Sequence, residues 1–276
     1  MLFAGGTGGV PYPHPEVYDP ATGQFTLTDR LPSVRIGHAM VRLADGRVLL
    51  VGGNDGATTT AEAFLWNPSN GLWSRTDPLP APRLHPTLTL LPDGTVLAAG
   101  GFAPSSSFGL AAAEAWLYVP DTGHWRMTGS LRQARGQHRA VRLPSGLVLV
   151  VGGYIDLTGV PEPTTTRAEL YDWRTGVFTE VSPMRFSRVT HETALLPSGE
   201  VLVAGGGNGA GRSPETEEIY SPATNIWRQV PRLLVPRGNM AFAVLPNGTV
   251  LAAGGYERAT ANGLSSAEIF TRCPAP

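Results

Sequence analysis

Residues 144–153 read Pro-Ser-Gly-Leu-Val-Leu-Val-Val-Gly-Gly. A turn signal opens the stretch, five aliphatic residues follow, and a glycine pair closes it. Five aliphatics are too few for an ordinary helix, and the valines favour a pleated backbone. The stretch therefore reads as a short strand buried on both faces. Gly152 and Gly153 let the chain turn sharply or approach another backbone where a Cβ would clash.

The pattern occurs six times: MLFAGG at 1–6, VLLVGG at 48–53, VLAAGG at 96–101, VLVVGG at 148–153, VLVAGG at 201–206 and VLAAGG at 250–255. Successive second glycines lie 47, 48, 52, 53 and 49 residues apart. A period near 50 residues marks one supersecondary unit stacked against copies of itself. The continuous repeat favours one domain over residues 1–276, or a part of a longer repeat chain.

Composition agrees. The 34 glycines and 25 prolines imply many turns at repeat spacing, and 42% hydrophobic residues supply a sizeable core. A net charge of −1 without a basic block gives nucleic-acid binding no electrostatic support. All 21 basic residues are arginine, whose planar fork suits carboxylates and phosphates. A single cysteine, Cys273, excludes an internal disulfide and a cysteine-based zinc site. No apolar run is long enough to span a membrane, and no compartment is indicated.

Each unit has the same parts. After a loop of variable length comes a strand opened by glutamate: Glu16, Glu62, Glu114, Glu169, Glu218 and Glu268. A tight turn such as Asp19-Pro-Ala-Thr-Gly23 leads to an aromatic column, Phe25, Trp73, Trp125, Phe178 and Trp227. An apolar anchor then precedes an arginine by four residues, as in Leu131–Arg135. A semi-apolar strand and a hairpin turn (Asp45-Gly46, Asn247-Gly248) return the chain to the aliphatic strand. Four short strands per unit, repeated around an axis, predict an all-β, six-bladed β-propeller. The double glycine, the Glu-x-Tyr-Asp-Pro strand, the tryptophan and the arginine resemble kelch repeats. The resemblance covers nearly the whole chain and is specific for fold, not function.

Counting strands predicts that the first blade lacks its arginine strand and the sixth its tryptophan strand. Open edges of this kind offer self-association, strand borrowing or completion by further chain.

Antiparallel blade geometry puts the arginines and the residues after each glycine pair at one mouth of the channel. Two roles fit Arg35, Arg83, Arg135, Arg188 and Arg237: a ring that binds carboxylate or phosphate, or staples that hold each blade's own loops. Asn54, Phe102, Tyr154 and Tyr256 follow glycine pairs, depart from the repeat, and are expected to offer hydrogen bonds and aromatic surface there. The longest loop, 154–167, adds Asp156 and Glu162. His38, His138 and His191 follow their arginines by three residues. They read as support at the strand start more readily than as a metal site.

Kelch relatives include enzymes, so the resemblance carries two functional readings. A copper oxidase would need a cysteine–tyrosine cross-link, for which Cys273 is badly placed. An epimerase-like enzyme acting on a carbohydrate would need acid–base residues at the mouth, where Glu192, Glu257 and Arg237 stand without a diagnostic spacing. The preferred expectation is a non-catalytic scaffold without cofactor or metal, binding a protein or an anionic small ligand at an arginine-lined mouth.

Overall fold

The structure is a computed structural model, and it describes residues 1–5, 14–104, 110–155, 163–208, 213–214, 216–257 and 262–271. It is all-β. Among the described residues no helix is long and apolar enough to cross a membrane. The chain divides into two compact units, Met1–Gly129 and Ser130–Pro276.

The first unit holds three antiparallel blades. Blade one has β1 (Leu2–Phe3), β2 (Glu16–Asp19) and β3 (Gln24–Leu27). Blade two has β4 (Ala39–Arg42), β5 (Val48–Val51), β6 (Ala63–Trp66) and β7 (Trp73–Thr76). In blade three, β8 (Thr87–Leu90) and β9 (Val96–Ala99) are followed by a small ribbon, β10 (Phe102–Ala103) with β11 (Leu110–Ala111), and then by β12 (Ala115–Val119) and β13 (His124–Met127).

The second unit repeats the plan. Blade four has β14 (Arg139–Arg142), β15 (Val148–Val151), β16 (Ala168–Asp172) and β17 (Val177–Val181). Blade five has β18 (Glu192–Leu195), β19 (Val201–Ala204), β20 (Thr216–Ser221) and β21 (Ile226–Pro231). Blade six has β22 (Ala241–Val244), β23 (Val250–Ala253) and β24 (Ala267–Phe270). The six blades, with three strands in the first and the last, are those the repeat count predicts.

Alternation along each aliphatic strand explains why it is apolar throughout. One face of blade two, Leu49, Val51, Ala63 and Leu65, packs on Val96, Ala98, Trp116 and Tyr118 of blade three. Its opposite face, Leu50 and Phe64, meets Ala4 of blade one. In the second unit Leu149 and Val151 meet Val201, Val203 and Tyr220, and Leu202, Ala204 and Ile219 meet Val250 and Ala252. At about 25 cal/mol per Å² of apolar surface, these sandwiched strands are the main source of stability.

Two turn types set the strand ends. In the five hairpin turns a glycine with φ between 81° and 91° closes the reversal, from Gly46 to Gly248. Before each outermost strand a turn closes by bonds such as Gly23 N–H to Asp19 O and Gly176 N–H to Asp172 O, both 2.8 Å. Glycine takes the left-handed place in four of these turns, and Asn225 (φ 55°) takes it in blade five. The aromatic column then lies opposite the tyrosines across the strand pair. Ring centroids are 4.9 Å apart for Tyr18–Phe25, 5.0 Å for Tyr118–Trp125, 4.7 Å for Tyr171–Phe178 and 4.9 Å for Tyr220–Trp227.

Candidate functional site

The arginine column starts the inner strands, as its spacing predicts, but its side chains point into the blades. Arg35, Arg83, Arg135, Arg188 and Arg237 are all buried. In blade four, Arg135 Nη1 donates to Gly152 O (3.1 Å) and Arg167 O (2.8 Å), while Nε donates to Gln133 O (3.3 Å). Its Nη2 reaches Glu169 Oε1 at 2.8 Å, and neither side chain of that pair meets solvent. Blade six repeats the set: Arg237 bonds Val235 O, Gly254 O, Ser266 O and Glu268. Arg35 joins Gly52 O to Glu62, and Arg188 joins Gly205 O to Glu217 and Glu218. One guanidinium thus ties the inner-strand loop, the first glycine and the glutamate strand together.

Of the two roles the sequence allows the five arginines, the hydrogen bonds here are those of the staple. They are buried with their Nη groups aimed at carbonyls and carboxylates, and the Nε of Arg83 and of Arg188 has no partner among the described residues. Burial also pulls the pKa of Arg35, Arg83 and Arg135 down, and the partner glutamates pull it back up. The glutamates are the other half of the device, as their regular place in the repeat leads one to expect. Glu169 accepts N–H groups of Arg132 (2.8 Å) and Gln133 (3.3 Å), and Glu218 those of Arg185 (2.7 Å) and Phe186 (3.2 Å). Glu268 accepts those of Leu234 and Val235. Burial pushes its carboxyl pKa up, but these N–H groups and Arg237 outweigh that and leave it lowered.

Blades two and three differ. Phe64 and Trp116 hold the strand place of Glu169, with Glu62 and Glu114 two residues earlier, and Pro32 and Pro80 stand where Arg132 supplies an N–H. Glu62 instead accepts the Ser33 hydroxyl (2.9 Å), and it also pairs with Arg75 at 2.8 Å. Glu114 bonds Arg83 at 2.9 Å with about half its side chain in water.

The glycine pair is explained by what approaches it. A Cβ on Gly152 would lie 2.7 Å from Arg188 O and 2.7 Å from the His191 ring of the next blade. One on Gly153 would lie 2.6 Å from Gly136 O. The second glycine also carries a blade-to-blade bond: Gly53 N–H to Arg83 O, Gly153 N–H to Arg188 O and Gly206 N–H to Arg237 O, each 2.8 Å.

The histidines are packing groups. His138 and His191 are buried, and His38 is largely so. Burial and then the neighbouring guanidinium of Arg35 lower His38 to about 4. Burial, Arg135 and Arg139 lower His138 to about 3, and His191 also lies well below its usual value. Held neutral at pH 7, they suit an apolar wedge against the glycines. No group of three or more metal-ligating side chains occurs among the described residues.

Two features escaped the sequence reading. Arg139 and Glu192 open β14 and β18 and form a two-bond pair (Nε–Oε2 2.9 Å, Nη2–Oε1 2.6 Å) between blades four and five. Their opposite charges at one repeat position were the signal, and the pair engages the Glu192 carboxylate considered for acid–base chemistry. Second, the residue two beyond each arginine is left-handed in all five blades: Gly37, His85, Gln137, Thr190 and Asn239, with φ from 50° to 63°. That backbone turns the next blade's N–H onto its neighbour, His85 to Gly37 O (2.7 Å) and Asn239 to Thr190 O (2.9 Å). Gly37 and Asn239 carried a residue-type signal for it.

The residues after the glycine pairs bridge to the residue after each arginine: Ile36 with Asn54, Leu84 with Phe102, Gly136 with Tyr154, Val189 with Gly207 and Gly238 with Tyr256. Phe102 is buried, which corrects its expected place on a binding surface. Asn54 is half-buried, and its Oδ1 accepts the Gly56 N–H at 2.8 Å to shape its own loop. Tyr154 and Tyr256 are half-buried, and the Tyr256 hydroxyl lies 3.5 Å from Thr190 Oγ1. Asp156, Glu162 and Cys273 lie outside the described residues.

Comparison with protein families matches the kelch motif to residues 194–234, the stretch from within β18 to the end of blade five and the loop beyond it. No curated protein matches the chain. The kelch motif thus falls on blade five, and the antiparallel blades with glycine pairs at their joints repeat its plan in both units.

Proposed function

We propose that this chain is a non-catalytic protein-binding scaffold that presents the loops after its glycine pairs to a partner. Kelch propellers are commonly protein-binding scaffolds, and the motif supports that coarse reading. The observation that carries the finer one is the division of labour inside each blade. Residues common to the repeats are engaged in the frame, as Arg135, Glu169 and Gly152 are. Residues that differ between blades, Asn54, Tyr154, Gly207 and Tyr256, occupy one equivalent bridging place and lead into loops of different length. A rigid frame with variable loops is how repeat scaffolds change specificity without changing fold.

The test is affinity capture, followed by a measured Kd for the captured protein with wild type, Tyr154→Ala, Tyr256→Ala and Arg142→Ala. Both tyrosine variants should keep the wild-type thermal transition and bind at least tenfold more weakly. Arg142→Ala, at the far end of β14, should bind as wild type does. Equal binding by all four proteins would place recognition elsewhere.

A further inference from the structure

The hairpin between β22 and β23 turns on Asn247-Gly248, at the end of the blade away from its glycine pair. An asparagine before a glycine is a reactive pair. No Cβ crowds the glycine nitrogen, which is therefore able to attack the carbon of the asparagine carboxamide. What surrounds that carboxamide sets how readily the reaction runs.

Asn247 is exposed, and its Oδ1 accepts two bonds from one residue, the Thr249 N–H at 3.1 Å and the Thr249 hydroxyl at 2.7 Å. Attack at Cγ drives negative charge onto this same oxygen. Both donors are in place before the charge develops, which is how an oxyanion is stabilised. Asn70-Gly71, in the turn of blade two, gives the contrast. It is exposed as well, but among the described residues its Oδ1 takes one bond, from the Leu72 N–H at 3.0 Å. In both turns the attacking glycine N–H rests on a carbonyl at 2.8 Å, Leu245 O and Asn67 O. The nucleophiles are matched, and the donors on the oxygen differ. Blade three shows that the product fits. Asp93 holds the repeat position of Asn247 and takes the same two bonds, from the Thr95 N–H at 3.0 Å and the Thr95 hydroxyl at 2.7 Å.

We propose that Asn247 is a self-modification site, a carboxamide that its own hairpin converts to a carboxylate. Gly248 N bonds to Asn247 Cγ, the Cγ–Nδ2 bond breaks, and Nδ2 leaves as ammonia with the Gly248 proton. The cyclic imide then takes up water. Opening at Cγ gives aspartate at 247 on the ordinary main chain, and opening at the backbone carbonyl gives isoaspartate. The first product keeps the hairpin and gives it the charge of its blade-three counterpart. The second adds a methylene to the main chain inside the reversal closed by the Leu245 N–H to Thr249 O bond. The site is separate from the loops proposed above, and neither proposal depends on the other.

The whole protein, aged in mildly alkaline buffer, is sampled over time by peptide mapping with mass spectrometry, which reads both asparagine–glycine pairs in one sample. Asn247 should convert faster than Asn70. Thr249→Val keeps the backbone N–H and removes the hydroxyl. It should slow conversion at Asn247 about three- to tenfold, the worth of one hydrogen bond, and leave Asn70 unchanged. In urea, where the turn is lost, wild type and Thr249→Val should convert alike. Asn247→Asp, which writes in the product, should keep the wild-type thermal transition. Four results overturn the proposal: Asn247 stays intact or lags Asn70, Thr249→Val converts at the wild-type rate, the difference between the two proteins persists in urea, or Asn247→Asp unfolds at a lower temperature.

Discussion

Blades four and three carry the same arginine but set its glutamate differently: Glu169 faces Val150 across the strand pair, whereas Trp116 holds that place in blade three and Glu114 lies two residues earlier. Arg135–Glu169 is shut from solvent at both ends, and its carboxylate collects two backbone N–H groups besides the guanidinium. Glu114 is half exposed, and its Arg83 leaves Nε buried without a partner among the described residues, with the guanidinium 4.8 Å above the Trp116 ring. Trp116 takes the inner strand place that Glu169 holds in blade four, and the Arg83 guanidinium lies on its ring. Pro80 also stands where Arg132 has an N–H, which removes one backbone donor from that loop. Whether an ion pair becomes part of the core is set here by the register of its carboxylate and the donors beside it, not by the charges alone.

The sharpest way to break this comparison is Glu169→Ala, which strands Arg135 in an apolar interior. A loss of about 3–5 kcal/mol in urea unfolding is expected. Acid comes next. An unfolded histidine takes a proton near pH 6.5, whereas folded His138 resists it until about pH 3. Between those values the unfolded state binds more protons, so stability falls as pH drops below 6.5. The loss should be on the order of 3 kcal/mol by pH 4. Blade three has Pro86 at that place, so hydrogen exchange should accelerate at β14 and β15 before β8 and β9. Arg132→Pro, which writes the blade-three loop into blade four, should cost about 1–3 kcal/mol by removing a donor to a buried carboxylate. Glu114→Ala should cost only about 1 kcal/mol, since water already serves that carboxylate. A Glu114 effect as large as that of Glu169 would end the distinction between the two blades.

The fold was legible because its evidence is local and repeated. Six glycine pairs, five hairpin turns and an aromatic column each fix a strand end or a face within a few residues. The site was less legible, and the arginines show why. Spacing places Arg135 at the start of an inner strand, but its acid lies 34 residues away, and which way a guanidinium points depends on acceptors contributed by three elements. The glutamates read as carboxylates in need of arginine or N–H partners, while the arginines read equally as a ligand ring or as staples, although both readings concerned one contact. Residue type also misled at Phe102, where an aromatic after a glycine pair is packed inward while Tyr154 at the same place stays partly exposed.

The bond from arginine to the first glycine's carbonyl spans 17 residues in blades two, four, five and six. Over that interval the chain cannot gain or lose a residue without pulling the guanidinium from its acceptor. The next interval is free to differ, and it does: Gly52 to Glu62 is short, and Gly152 to Glu169 is long. Each blade is therefore a ruler followed by a slack strap. Foreign peptide grafted into the strap of blade four should leave the blade's register intact, whereas one residue inserted into the ruler should dismantle it.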